Sequence, residues 1–318
     1  LEIGIETVIE GQIVEEGNVA IGAKVFSDII RKLPSEQVEI NVNENYQLFI
    51  KCGKAKFNIA AKPTDEFPYL PQIVKEKHVE ISQFTLKDII RQTVFSISDN
   101  ENTKVMTGEL FEITDNKLKV VSLDGHRISI RNVELNNSYD NISVIIPGKT
   151  LIEINKILNG GVDDIVKIYF TDKHILFEFE NTVVLSRLIE GEYYKIDKML
   201  SSDYETKITV NKKEMLDSID RTTLLMKESE KKPVIIDIKD NSMGLAMNSS
   251  IGSMDEEIDA VKEGKDILIG FNPRFLIDAL RVIDDEEITL YMINPKAPCF
   301  IRDKDESYIY LILPVNFN

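Results

Sequence analysis

Residues 149–158 read KTLIEINKIL, and the chain makes nearly the same statement 125 positions earlier and 125 positions later. The polar residues Lys149, Glu153 and Lys156 stand at offsets 0, +4 and +7. The earlier copy has Lys24, Asp28 and Arg31 there, and the later one Arg274, Asp278 and Arg281. On a helix those offsets share one face. The other side is apolar each time, with Phe26, Ile29 and Leu33, then Leu151, Ile154 and Leu158, then Leu276, Ala279 and Ile283. The pattern predicts one amphipathic helix used three times, its apolar face on a core and its cation-edged face outward.

The repeat extends beyond that helix. Alternating apolar residues follow each copy: Val38, Ile40 and Val42; Val166, Ile168 and Phe170; Ile288, Leu290 and Met292. Period two predicts strands. Second strands are expected at 47–51, 174–180 and 299–302, and third strands at 56–61, 183–188 and 308–313. A second unit of the same kind is visible twice, as FTLKDIIRQTVFSIS over 84–98 and, 126 positions on, VNKKEMLDSIDRTTLL over 210–225. Hairpins should follow these helices, 108–114 with 118–130 and 234–239 with 243–249, turning at Asp115-Asn116 and Asp240-Asn241. Each full repeat is therefore a tandem of two helix-plus-three-strand units, an α+β arrangement with sheets outside and helices inside. The expected boundaries are 1–76, 77–200 and 201–318. Three full repeats of 125 would take 375 residues against the 318 present, and Ile3, Ile5 and Val8 match Ile128, Ile130 and Val133. The expectation is a chain that enters its first repeat partway, its first domain incomplete by one unit.

The net charge of −16 would by itself disfavour a polyanionic partner. Its distribution alters that. The five helical stretches hold twelve Lys or Arg against seven Asp or Glu, so they carry +5 and the remainder −21. No apolar run reaches the 18 or so residues of a membrane helix, and the first ten residues lack the cationic start of a secretory signal. Cys52 and Cys299 form no CxxC pair, which suits a reducing compartment. No spacing offers metal ligands, and no cofactor is expected.

Two stretches invite chemistry. Asp124-Gly125-His126-Arg127 could be read as an acid–base pair, yet no nucleophile or orienting group is spaced with it; a turn is the simpler reading. Pro147-Gly148-Lys149-Thr150 resembles the end of a phosphate loop, but Ser143 stands where that loop needs glycine, and neither sister repeat keeps the cradle. The acidic run Asp255-Glu256-Glu257 reads as a solvated strand end, and residues 284–287 as a solvated turn. The ending YIYLILPVNF, 308–317, is apolar to its close, unlike most chain termini. Leu311 and Leu313 are expected inside, with Ile312, Pro314, Val315 and Phe317 partly left to form a surface.

Taken together, the three two-unit repeats, SLDGHR at 122–127, FNPRFLIDAL at 271–280 and YLILPVNF at 310–317 resemble the bacterial DNA polymerase III beta subunit family, the sliding clamps, over the whole chain. That resemblance implies a three-domain DNA-clamp fold and a head-to-tail homodimeric ring around duplex DNA. It implies no catalysis and a cytoplasmic, nucleoid-associated place. Replicative polymerase, clamp loader and repair proteins would dock through short peptides carrying a glutamine and bulky apolar residues. The resemblance assigns DNA contact to Lys24, Arg31, Lys87, Arg91, Lys104, Lys149, Lys156, Lys213, Arg221, Arg274 and Arg281. It assigns the partner cleft to Met106, Leu123, Gly125, His126, Arg127 and Ile128, to Tyr194, Lys198 and Met199, and to Leu311, Ile312, Leu313, Pro314 and Val315. The ring contact would set Phe57 and Ile59 against Leu224 and Leu225 of a second subunit. Leu123, Tyr193-Tyr194 and Asn316-Phe317-Asn318 depart from the family's usual residues, which bears on peptide preference. A hydrolase using Asp124 and His126, and a peptide scaffold that ignores DNA, are the alternative readings.

Overall fold

The computed structural model describes residues 2–34, 37–226, 232–303 and 305–317, so Asn318 of the altered ending lies outside the described residues. The chain divides into two compact units, one of residues 8–72 and one of residues 2–7 with 73–318. The opening strand β1 (Ile3–Thr7) belongs to the larger unit.

The smaller unit runs β2 (Ala20–Ile21), α1 (Ala23–Lys32), β3 (Val38–Val42), β4 (Gln47–Cys52) and β5 (Ala55–Lys62), its four strands ordered β2-β5-β4-β3. Leu48, Ile50 and Cys52 on β4 are fully buried. No residue of α1 is. The face predicted to be apolar, Phe26, Ile29 and Leu33, is only half-buried, whereas its counterparts in the later repeats are shut from solvent. Those later helices each pack against another helix; α1 is the single helix among the described residues of its unit.

The larger unit continues with β6 (Val79–Ser82), α2 (Gln83–Thr93), β7 (Gly108–Leu123), β8 (Arg127–Pro147), α3 (Gly148–Ile157), β9 (Ile165–Phe170), β10 (His174–Phe179) and β11 (Thr182–Arg187). After a connector come β12 (Thr206–Asn211), α4 (Lys212–Thr223), β13 (Val234–Lys239), β14 (Ser242–Asn248), β15 (Ser253–Gly264), β16 (Ile267–Phe271), α5 (Pro273–Val282), β17 (Glu287–Met292), β18 (Cys299–Arg302) and β19 (Tyr308–Ile312). One sheet has the order β1-β11-β10-β9-β6 and another the order β16-β13-β14-β15-β12-β17-β18-β19-β8-β7. Each helix is entered from a strand, so the unit is strand–helix–strands, one strand more than the three expected.

The repeat governs hydrogen bonding as well as sequence. The pair Ile3 and Ser186 joins β1 to β11, and 125 positions on the pair Ile128 and Leu311 joins β8 to β19. Helices α1, α3 and α5 start 125 residues apart, at 23, 148 and 273. The other pair departs from expectation: α2 and α4 start at 83 and 212, 129 apart rather than 126. Their N-caps decide this, because Ser82 accepts from the Thr85 N–H and Asn211 from the Glu214 N–H. In that alignment the buried Leu86, Ile89, Ile90 and Thr93 fall on Met215, Ser218, Ile219 and Thr222.

Three further expectations are corrected. Helix α2 stops at Thr93, where φ swings to −124°, and a single 3-10 turn, Val94–Ser96, replaces the helix expected to residue 98. The strand expected over 118–130 is cut by a turn at 124–126, so that Leu123 pairs with Ile128, while residues 108–113 pair with 142–147. The turn foreseen at Asp240-Asn241 is present between β13 and β14, with Asp240 in the left-handed region at φ 49°. Asp115, at φ 55°, is instead an irregularity within β7 where its register with β8 shifts, so the hairpin expected between 108–114 and 118–130 does not form.

Three cores result. One lies under α4 and α5, one under α2 and α3, and a third joins Leu123, Ile128, Ile309 and Leu311 to the connector residues Ile189 and Ile196. Strand β19 sits between β18 and β8 with both faces covered. Its residues alternate between cores, Tyr308, Tyr310 and Ile312 in the first and Ile309 and Leu311 in the third. Ile312, expected to be partly free, is therefore fully buried. Leu313, expected inside, lies one residue past the strand and is 39% exposed. Among the described residues no helix is long and apolar enough to cross a membrane.

Candidate nucleic-acid interface and partner cleft

The cations that resembled DNA contacts divide by what their donors already do. Lys24, Arg31, Lys104, Lys213 and Arg274 are exposed and make no ion pair among the described residues. Lys149 comes 3.7 Å from Glu101, both side chains being wide open to solvent. Lys156 pairs with Glu153 at 2.8 Å one turn away, and Arg281 with Asp220 at 3.5 Å. Such exposed pairs are worth well under about 1 kcal/mol and exchange readily for another anion.

The remaining three are tied into the fold. The Lys87 ammonium donates to the Leu158 and Asn155 carbonyls at 2.8 and 3.1 Å, closing the C-terminal end of α3. The Lys212 ammonium does the same for α5, donating to Ile283 O. Arg91 donates to Val282 O at 2.9 Å and to Asp284 at 2.7 Å, besides its neighbour Asp88. It thereby ties α2 to the end of α5 through Asp284, which stands in the exposed 284–287 stretch as expected. Arg221 grips Glu256 with two donors, and Ser218 adds a third. Glu256 is thus held below the usual carboxylate range by Arg221. It stands inside β15 and is not a solvated strand end.

Of the residues assigned to a cleft, Leu123, Gly125, His126, Arg127 and Ile128 lie at the turn between β7 and β8. Gly125 adopts φ +90°, a region that side chains resist. Asp124 closes the turn, one carboxylate oxygen accepting the His126 and Arg127 N–H groups at 2.9 and 3.1 Å, the other the Arg127 Nε at 2.9 Å. Arg127 is buried and reaches further, donating to Asp278 and to Phe95 O, both at 2.7 Å. Its guanidinium lies 4.2 Å from the Phe275 ring centre and 5.5 Å from that of Phe95. His126 is exposed and stacks on Phe275. With Asp124 consumed by the turn, no acid–base pair with His126 is assembled.

The terminal segment is laid along this junction by backbone bonds. The Leu313 N–H donates to His126 O at 2.9 Å and the Val315 N–H to Gly270 O at 2.8 Å. Phe317 lies so close to Gly270 that a Cβ there would meet its ring at 2.6 Å, so the glycine is required. The result is an apolar strip of Leu313, half-buried Pro314 and Val315, with His126 beside it. Leu123, Arg127, Ile128, Leu311 and Ile312 are its buried support. Met106 is half-buried against the third core. Exposed Tyr194 lines a cavity of about 500 Å³ with Leu110, Val121, Ile145, Ile189 and Ile196. Lys198 and Met199 sit exposed on the 3-10 turn Asp197–Met199. Of the four residues assigned to a subunit contact, Leu224 and Phe57 are exposed and Ile59 is half-buried, whereas Leu225 packs on its own core.

Phe95, Gly270, Phe275 and Asp278 belong to the cleft's support and were absent from the sequence assignment. Asp278 was visible as the acidic member of the repeated stripe. What it pairs with was not, because Arg127 lies 151 residues away.

Comparison with known proteins agrees with this architecture. Models of the DNA polymerase III beta subunit match in chain order, the N-terminal domain over residues 1–71, the central domain over 80–195 and the C-terminal domain over 197–316. A Staphylococcus aureus protein named beta sliding clamp is 34% identical over 322 residues, which span 99% of this chain and 85% of that protein. The crystal structure of the Eubacterium rectale protein assigned to the same subunit is 62% identical with a TM-score of 0.93, covering 100% of this chain and 87% of that one. The Bacillus subtilis DNA polymerase sliding clamp is 36% identical with a TM-score of 0.92, covering 99% and 86%. The chain has the three-domain sliding-clamp fold, and it belongs to the DNA polymerase III beta subunit family, the beta sliding clamps.

Proposed function

We propose that this chain is the subunit of a processivity clamp that surrounds duplex DNA without reading its sequence and tethers a replicative polymerase to it. It acts without catalysis or cofactor, in the bacterial cytoplasm, and is divided into clamp domains at 1–76, 77–200 and 201–318. The single observation that carries the reading is the match of three clamp-domain models in order along one chain. The charge pattern supports it: mobile phosphates need exposed, exchangeable cations, and the five helical stretches carry a net +5 within a chain of net charge −16. Lys24, Arg31, Lys104, Lys149, Lys213 and Arg274 are assigned to the phosphate backbone, with Lys156 and Arg281 able to join by releasing weak partners. Lys87, Arg91 and Arg221 are assigned to the fold instead.

The partner site in this reading is the strip of Leu313, Pro314 and Val315 with His126, Met106, Tyr194, Lys198 and Met199, where an extended peptide would bury apolar anchors. It would receive polymerase, clamp loader and repair proteins. A second copy of the chain would meet Phe57 and Ile59 through Leu224 and Leu225, closing a ring.

The test is retention on DNA after loading. The wild-type protein should stay on closed circular duplex and leave once the circle is cut; equal retention on both forms overturns the reading. Replacing Lys104, Lys149, Lys213 and Arg274 together by alanine should flatten the dependence of log K on log salt by roughly 3 to 4. An unchanged slope with intact peptide binding would favour the scaffold alternative.

A further inference from the structure

Glu109 is buried in the second position of β7, and among the described residues no cation answers it. Its Oε2 lies 3.0 Å from the Oγ1 of Thr93 at the end of α2, and that hydroxyl is also 2.7 Å from the Ile89 carbonyl. A threonine hydroxyl has one proton to give. The shorter contact takes it, because Ile89 O can only accept. The longer contact then needs a proton from the other side, and a protonated Glu109 supplies it to Thr93 Oγ1. The other carboxyl oxygen, Oε1, has no hydrogen-bond partner, a cost far smaller for a neutral acid than for a carboxylate.

The position joins three elements. Thr93 ends α2, and its own carbonyl accepts from Ser122 on β7 at 2.6 Å. Between Thr93 and Gly108 run the 3-10 turns Val94–Ser96 and Glu101–Thr107, the second carrying Lys104 and Met106. The Tyr193 hydroxyl of the connector donates to Gly108 O at 3.3 Å. Charged groups on these surrounding elements have other partners or face solvent: Asp88 and Arg91 of α2 pair with each other and Arg91 also with Asp284, Lys87 of α2 caps the Asn155 and Leu158 carbonyls, Arg127 of β8 pairs with Asp124 and Asp278, Lys149 of α3 lies beside Glu101, and Lys104 is exposed. Tyr193 is neutral, its proton held by burial and then by Glu109.

We propose that Glu109 is a proton-operated latch that, while protonated, pins the end of α2 and the 94–107 segment to β7 and, once ionised, lets that segment loosen. Burial pushes this carboxyl from 4.5 up to about 8, which puts the transition near neutral pH. Below 4.5 folded and unfolded states both hold the proton and nothing is lost. Between the two values the unfolded chain has shed its proton while the folded one must keep it, so stability falls as pH rises, until the loss is complete above about 8. The consequence for Lys104 and Met106, weaker DNA and peptide contact at alkaline pH, rests on the function proposed above. The latch itself does not.

Hydrogen exchange of the whole chain without DNA or peptide, at pH 6 to 9, separates the two. Protection of residues 94–107, corrected for intrinsic exchange, should drop by up to about tenfold per pH unit in the wild type. In Glu109→Gln, whose amide can donate to Thr93 Oγ1, it should stay within about twofold. The same pH dependence in both, or a flat wild type, overturns the latch. If Glu109→Gln does not fold, infrared spectra of the wild type decide: a protonated-carboxyl band must be present at pH 6, lost by pH 9 and absent from Glu109→Met. A spectrum without that band at pH 6 refutes the proposal.

Discussion

Replacing Arg127 by alanine tests whether the junction between β8 and α5 is held by one side chain. Three acceptors lose a donor at once. Phe95 O was met at 2.7 Å and has no substitute, which costs about 1 to 3 kcal/mol for a buried unsatisfied carbonyl. Asp124 keeps its two backbone donors, so its loss is smaller. The side chain of Asp278 is 37% exposed and rehydrates. Contacts with the Phe275 and Phe95 rings add about 0.5 to 1 kcal/mol each. The total falls at about 3 to 5 kcal/mol, the range for removing one partner from a buried ion pair. Arg127→Lys keeps the charge but not the fork, and should lose about half of that. Asp278→Asn, at the exposed end, should cost about 1 kcal/mol. Guanidinium unfolding followed by circular dichroism measures all three, since the chain has no tryptophan to report. An Arg127→Ala protein within 1 kcal/mol of wild type, or Asp278→Asn as damaging as Arg127→Ala, would refute the argument.

Lys87→Met should lose about 1 to 2 kcal/mol of stability, because the Asn155 and Leu158 carbonyls are left uncapped, while the salt slope of DNA binding stays at the wild-type value; a flattened slope would return Lys87 to the DNA-facing set. Adjacent residues of the tail should separate in the opposite way. Ile312→Ala should cost about 2 to 5 kcal/mol in unfolding as a fully buried truncation, whereas Leu313→Ala should leave the melting temperature nearly unchanged and weaken a partner peptide about tenfold by calorimetric titration.

The repeated helix was legible because both its faces are written locally: offsets 0, +4 and +7 for the polar side, and an apolar side that α3 and α5 bury as predicted. Strand positions followed from period two for the same reason. What escaped was set by partners distant in the chain. Ile312 is buried because β8 supplies a second neighbour to β19, and nothing in YIYLILPVNF announces that. Lys87 and Lys213 looked equivalent at an offset of 126, but the N-caps align Lys87 with Leu216. Glu256 looked solvated until Arg221 and Ser218 met it from a helix 35 and 38 residues away. The turn at Asp124 was readable from its own residues; the reach of Arg127 to Asp278 was not.

The placement of the exposed cations at the helix starts argues that they serve something outside the fold. Lys24, Lys149, Lys213 and Arg274 each occupy the second position of their helix. A helix start carries about half a positive charge, so a cation there is disfavoured by roughly 0.3 to 1 kcal/mol. Stabilising cations belong in the last turn, where Arg91, Lys156, Arg221 and Arg281 are found, each with an acidic partner, and where Arg31 and Lys32 of α1 stand without one among the described residues. The first-turn cations oppose the dipole in four of the five helices, and three of them recur at a spacing of 125. Folding alone would have removed them. A phosphate reverses the balance, since the free N–H groups of the first turn and the added cation then attract the same charge. Neutralising Lys149 and Arg274 should therefore leave stability unchanged or raise it by about 0.3 to 1 kcal/mol each while weakening DNA retention, and a loss of stability in either variant would mean that the dipole argument is wrong.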